Sequence, residues 1–143
     1  MVAVSRTITV SAPMERVRDY LKDFTNAEEW DPGTHQCVRC DDGPLQVGAE
    51  WINTSEFMGR SAVLRYRLDV LEPDRLVFRG TNENAESVDD MSFQPLPAGT
   101  RITYSARITF AGLLRMVSPL MRPPFERLAD RVAERMTEVL SEL

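Results

Sequence analysis

Residues 125–143 do most to restrict what this chain can become. Phe125, Leu128, Ala129, Val132, Met136, Val139, Leu140 and Leu143 recur at steps of three and four. Glu126, Arg127, Asp130, Arg131, Glu134, Arg135, Glu138 and Glu142 fill the positions between them. One stripe of a long helix is therefore apolar and the opposite face is charged. Such a helix gains its stability from packing, so it needs a concave apolar surface to lie against. The rest of the chain must supply that surface, and either fill the space beneath the helix or leave a cavity there.

A chain of 143 residues fits a single domain, 1–143, with a sizeable core. Its net charge of -5 argues against nucleic acid as a partner. No apolar run approaches the roughly 20 residues that span a bilayer, so no integral membrane segment is expected. The first residues lack the basic and apolar regions of a signal peptide, and two cysteines make a poor disulfide framework. A cytoplasmic location is the resulting expectation.

Residues 3–10 alternate, with Arg6, Ile8 and Val10 on one side and Thr7 and Thr9 on the other, as in a strand. Ser11-Ala12-Pro13 opens a helix whose inner stripe is Met14, Val17, Leu21 and Phe24. A second short helix near 26–30 stops at Asp31-Pro32-Gly33. From there the period becomes two, with strands expected near 34–40, 47–58, 61–71, 75–83, 86–96 and 100–110. Short connections with turn chemistry link them into an antiparallel meander.

This order of elements resembles the helix-grip fold of the START-like superfamily, in its polyketide cyclase/dehydrase-like branch. The matching stretches are Ile8-Thr9-Val10-Ser11-Ala12-Pro13, Glu29-Trp30-Asp31-Pro32, Val47-Gly48-Ala49-Glu50-Trp51, Leu71-Glu72-Pro73-Asp74-Arg75-Leu76-Val77-Phe78, Gly99-Thr100-Arg101-Ile102 and the closing helix. The resemblance implies an α+β fold, a curved antiparallel sheet of about seven strands wrapped around the long C-terminal helix, with two short helices after the first strand. It also implies a hydrophobic ligand: a lipid, a polyketide or a related aromatic or isoprenoid compound.

Alternation places side chains on the inner face. A two-residue turn at Gly59-Arg60 would set Phe57 opposite Ala62, Ser55 opposite Leu64, Asn53 opposite Tyr66 and Trp51 opposite Leu68. The next strand turns in Leu76, Phe78, Gly80 and Asn82, with Met91 and Phe93 beside Phe78 and Leu76. The last strand turns in Ile102, Tyr104, Ala106, Ile108 and Phe110. Asp89 then falls inside, between Gly80 and Ala106, where two missing side chains suggest space. A β-bulge near Val88-Asp89-Asp90 would instead turn Asp89 out and make Val88 the core residue. Several polar groups on an apolar face fit a partly hydrated cavity of a few hundred cubic ångströms better than a dry core.

The expected ligand-binding residues are Trp51, Asn53, Phe57, Tyr66, Phe78, Met91, Phe93, Met121, Phe125 and Met136. Between the last strand and the helix, Met116, Leu120 and Met121 suit a pliable gate, or else an ordinary cap over the core. If the protein is an enzyme, Asp89 and Tyr104 are the candidate catalytic pair, because a desolvated carboxyl has a raised pKa suited to proton transfer in cyclisation or dehydration. A third possibility is a filled core with an outer face that binds protein.

His35-Gln36-Cys37-Val38-Arg39-Cys40 has metal-like spelling, but no second Cys/His pair completes a site and strand alternation splits the two cysteines. No metal or organic cofactor is expected. The patterns leave the oligomeric state open between monomer and homodimer.

Overall fold

The computed structural model describes residues 1–143. In chain order come β1 (Val2–Val10), α1 (Met14–Leu21), a turn of 3-10 helix at Phe24–Asn26, α2 (Ala27–Trp30), β2 (Thr34–Arg39), β3 (Glu50–Phe57), β4 (Arg60–Glu72), β5 (Arg75–Thr81), β6 (Ala85–Leu96) and β7 (Gly99–Phe110). The chain closes with α3 (Leu114–Val117), a 3-10 turn at Ser118–Met121 and α4 (Arg122–Leu140). This is the α+β helix-grip architecture: a curved, open antiparallel sheet with a long C-terminal helix.

The seven strands lie in the order β1-β7-β6-β5-β4-β3-β2. Strands β2 to β7 form the expected meander, while β1 closes the far edge against β7. Consecutive in sequence, β1 and β2 thus sit at opposite edges, and residues 11–33 must cross the inner face to join them. Their apolar positions face the sheet: Val17, Leu21, Phe24, Ala27 and Trp30 are all buried. Long helix α4 packs against β1 and α2. Arg6 ties it down, reaching Glu126 at 3.2 Å and Asp130 at 2.8 Å, and Arg135 Nε donates to the Glu29 carbonyl at 3.0 Å. Ala129, Val132, Met136 and Leu140 form its buried stripe.

Two expectations about register change, at β3–β4 and at β5–β6. The β3–β4 turn is Met58-Gly59, not Gly59-Arg60, so Trp51 faces Tyr66, Asn53 faces Leu64, Ser55 faces Ala62 and Phe57 faces Arg60. The slip is two residues, so each side chain keeps its face. β6 runs without a bulge against both neighbours, leaving Asp89 inside and Asp90 outside, where Asp90 pairs with Arg75 at 2.8 Å. On β5, however, Asp89 lies opposite Phe78 rather than Gly80, and Met91 opposite Leu76. The bulges fall elsewhere, at Thr34/Gln36 and at Leu68/Val70.

Asn82, expected inside, is exposed beyond the end of β5. Its Oδ1 accepts from the Asn84 and Ala85 amides, and its Nδ2 donates to the Val63 carbonyl. Asparagine serves the turn here, which a strand alternation carried one residue too far cannot show.

Met58 and Gly59 have φ of 56° and 77°, the signature of a primed hairpin turn. Methionine rarely accepts that conformation, whereas asparagine does so readily. Met58→Asn is expected to stabilise the protein by about 0.5–1 kcal/mol, read as a rise of a few degrees in Tm on thermal denaturation.

Candidate functional site

The crossing segment carries aromatic rings onto the sheet. Phe24 lies 4.6 Å from Tyr66, 4.4 Å from Phe78, 6.0 Å from Trp30 and 6.1 Å from Trp51, centroid to centroid. Trp30 meets Tyr104 edge-on at 5.8 Å, and Trp51 meets Phe78 at 5.7 Å. Edge and tilted contacts of this kind add to the stabilisation from burial alone. Gly80 is needed beneath them, because a Cβ there would stand 2.5 Å from Cε2 of Tyr66. The space expected over Gly80 is thus occupied by the Tyr66 ring.

Two carboxyl groups meet this shell, Asp89 buried within it and Asp31 half-buried at its edge. Asp31, the residue after α2, accepts from the Gly33 amide at 2.9 Å and from the Thr34 hydroxyl at 2.8 Å. Thr34 in turn accepts from Asn53 Nδ2 at 3.3 Å. Burial raises the Asp31 pKa, against the pull of those hydrogen bonds and of Arg131. Asp89 has no such support. Burial first, and the charge of Asp31 second, push its pKa up to about 8. Burial likewise raises the phenol pKa values of Tyr66 and Tyr104, with Asp89 the next cause for each. The raised pKa values favour the protonated form of the Asp89 carboxyl and of both phenols.

Asp89 and Tyr104 are more than nine-tenths buried, at 6% and 8% exposure, and neither finds a hydrogen-bond partner. Yet only Trp30 Nε1 and Arg39 Nε are both sealed from solvent and unpartnered. The oxygens of Asp89 and Tyr104 must therefore border space that water reaches, which is how a buried polar group avoids its full desolvation cost.

A groove of about 720 Å³ opens beside α4, lined by Glu56, Phe57, Met58, Pro124, Arg127, Leu128, Asp130 and Arg131. The Phe57 and Phe125 rings meet edge-on at 6.0 Å at its border. The Asp31–Gly33 turn lies directly behind it, since a Cβ on Gly33 would stand 3.4 Å from the Glu56 carbonyl and 3.7 Å from Leu128. A second, more polar groove of about 460 Å³ lies over β1, β7 and β6. Both are open surface grooves; the interior under α4, where a cavity is expected from the sequence, is bounded by the buried residues of the core cluster, with the unpartnered Asp89 and Tyr104 oxygens among them.

Of the residues singled out from sequence, Trp51, Asn53, Tyr66, Phe78, Asp89, Met91, Phe93, Tyr104 and Met136 lie in or against the buried interior. Phe57, Met121 and Phe125 are partly exposed. His35 is exposed and contacts Glu56 at 2.8 Å. Cys37 is buried, its thiol pushed up to about 12 by burial, while Cys40 is exposed. No three acidic, histidine or cysteine residues are grouped to hold a metal ion. Sequence reasoning missed Asp31, Phe24 and Trp30 as site residues. The Trp30-Asp31-Pro32 spelling was visible, but it reads first as a helix stop.

An acid with a raised folded-state pKa holds its proton longer when folded, so stability is greatest below the unfolded pKa and is lost as pH rises through the folded one. For Asp89 the window runs from about 4 to about 8. Urea denaturation across that range should show stability falling, by at most about 1.4 kcal/mol per pH unit from this group. Asp89→Asn is expected to flatten the slope and to be relatively more stable at the alkaline end.

Residues 1–141 match the family described as polyketide cyclase / dehydrase and lipid transport. No curated protein matches. Among solved structures, a START superfamily protein from Mycobacterium smegmatis superimposes with a TM-score of 0.80 at 16% identity, covering 98% of this chain and 97% of that one. The Zhui aromatase/cyclase from a Streptomyces species gives 0.75 at 16% identity, covering 98% and 91%. The di-domain aromatase/cyclase StfQ of the steffimycin biosynthetic pathway gives 0.72 at 13% identity, covering 99% of this chain and 51% of that one. At these identities the structural likeness speaks for the fold, and the sequence match for the family. The chain belongs to the polyketide cyclase / dehydrase and lipid transport family.

Proposed function

We propose that the protein binds a hydrophobic small molecule between its sheet and α4, of the lipid, polyketide or related aromatic or isoprenoid class. The observation that carries this reading is the pair Asp89 and Tyr104, whose polar ends lack a protein partner yet meet water-accessible space within an aromatic shell. Apolar walls with a few convergent polar groups are the usual make-up of a small-molecule site. Phe78, Met91, Phe93 and Met136 would contact the ligand's hydrocarbon part, with Trp51 behind them. Asp89, Tyr66 and Tyr104 would donate to its carbonyl or hydroxyl oxygen, and Asn53 would hold Asp31 in place through Thr34. Entry would pass Phe57, Phe125 and Met121. The family description, which includes both cyclases and lipid transport, supports the same ligand class.

A second reading, a cyclase- or dehydratase-type enzyme, draws support from Asp89 itself. A carboxyl that titrates near 8 beside a phenol is suited to moving a proton at neutral pH. In the fraction of molecules whose Asp89 is ionised, its carboxylate would take a proton from the carbon next to a ligand carbonyl, while the Tyr104 phenol gives its proton to the developing enolate oxygen. A filled core whose outer face binds protein is the reading left if no ligand enters.

Native mass spectrometry of the freshly purified protein is expected to show a mass excess that vanishes on denaturation. In parallel, the protein should enhance the fluorescence of N-phenylnaphthylamine. Ala106→Leu, beside Asp89, should weaken that response about tenfold with the fold intact by circular dichroism. Asp89→Asn should leave a carrier's binding within a few-fold, and in an enzyme should abolish turnover while binding persists. No mass excess and no probe response would remove the ligand-binding reading.

A further inference from the structure

The segment between β7 and α4 presents an apolar face with nothing packed on it. Leu113, Met116, Val117 and Leu120 recur at three- and four-residue steps and stand 84%, 79%, 38% and 75% exposed. Ser118 is the one buried residue of this stretch. Monomeric proteins rarely leave long aliphatic side chains clustered in this way without a use for them.

Its location adds meaning. The Ala111 amide donates to the Asn84 carbonyl at 2.9 Å, which fixes the segment at the end of the sheet formed by the β5–β6 turn. The β3–β4 turn lies at the same end, where Met58 is also exposed and Phe57 meets Phe125. The apolar face therefore lies at the same end of the sheet as the groove beside α4.

Charge is distributed unevenly as well. Residues 91–125 carry Arg101, Arg107, Arg115 and Arg122 and not one acid, in a chain whose net charge is -5. Arg115 and Arg122 are exposed in the segment itself, the first acid after them in the chain, Glu126, is engaged by Arg6, and Glu83 in the β5–β6 turn is the acid of the neighbouring turn. Protruding aliphatic side chains flanked within the same segment by the exposed Arg115 and Arg122 match an anionic bilayer surface, where the side chains enter the acyl boundary and the guanidinium groups meet phosphates. A protein partner is a poorer match, because a stable protein interface engages about 20–30 residues a side and this segment offers five exposed large apolar side chains, Leu114 included.

We propose that the 111–122 segment docks the protein on anionic lipid surfaces, with its groove facing the bilayer. This rests on the surface alone and stands apart from whether a ligand occupies the interior.

The test is flotation of the full chain with vesicles of phosphatidylcholine, and with vesicles in which about a third of the lipid is phosphatidylglycerol. The protein is expected to float with the anionic vesicles and to bind neutral ones at least tenfold more weakly, with binding falling as salt rises. Leu113→Asp and Arg115→Glu should each reduce flotation about tenfold while Tm and N-phenylnaphthylamine binding stay as in the wild type. Absence of flotation, or flotation untouched by either change, overturns the proposal. So does a self-associated species in sedimentation that Leu113→Asp dissolves, in the absence of vesicle binding; the face then joins copies of this chain. Flotation without probe binding supports this proposal and counts against the ligand reading alone.

Discussion

The path from β1 to β2 governs the rest of the molecule. Because those two strands occupy opposite edges of one sheet, residues 11–33 have no route between them except across the concave face. Their apolar side chains must then be buried there, and Phe24 and Trp30 become the hub around which Trp51, Tyr66, Phe78 and Tyr104 pack. The same crossing brings Asp31, half-buried, to the edge of the core at the point where the chain turns to enter β2. α4 completes the enclosure from β1, held by the Arg6 pair with Glu126 and Asp130. These ion pairs are partly exposed, so they orient the helix more than they stabilise it.

Electrostatics inside that enclosure follow from two acids sharing a poorly solvated space. Asp31 is supported by an amide, a hydroxyl and the nearby Arg131, whereas Asp89 has only a like charge for a neighbour. Burial raises both carboxyls, and Asp89, without the supporting hydrogen bonds, is the one pushed up to about 8. Outside, Asp90 sits across from Arg75 and shows what the next residue in the chain does when it faces water. Proton donors on an aromatic wall suit an apolar ligand with an oxygen acceptor, and the apolar rim at 111–122 suits a lipid surface from which such a ligand is taken.

Much of this could be seen in the amino acids because strands alternate and helices repeat. Asp89 and Tyr104 were identified as inward-facing by period alone, and the α4 stripe by its three- and four-residue steps. The β3–β4 register was missed because methionine at φ of 56° is an unusual turn residue, yet a slip of two preserved every face. Asn82 was misplaced because alternation says nothing about where a strand ends. Asp31 escaped because a loop residue belongs to no period, and only the crossing of 11–33 brings it inward. The space beside Gly80 was misjudged for a related reason: a missing side chain on one strand is filled by Tyr66 from its neighbour.

The central claim is that Asp89 is a buried acid that stays protonated at neutral pH in a space open to a ligand's polar end. Isotope-edited NMR of the Asp89 carboxyl, followed through a pH titration of the free protein, tests it directly. A midpoint near 8 that moves when N-phenylnaphthylamine is added is the predicted result. A midpoint near the ordinary aspartate value of about 4, unchanged by the probe, would contradict both the electrostatic account and the site built on it.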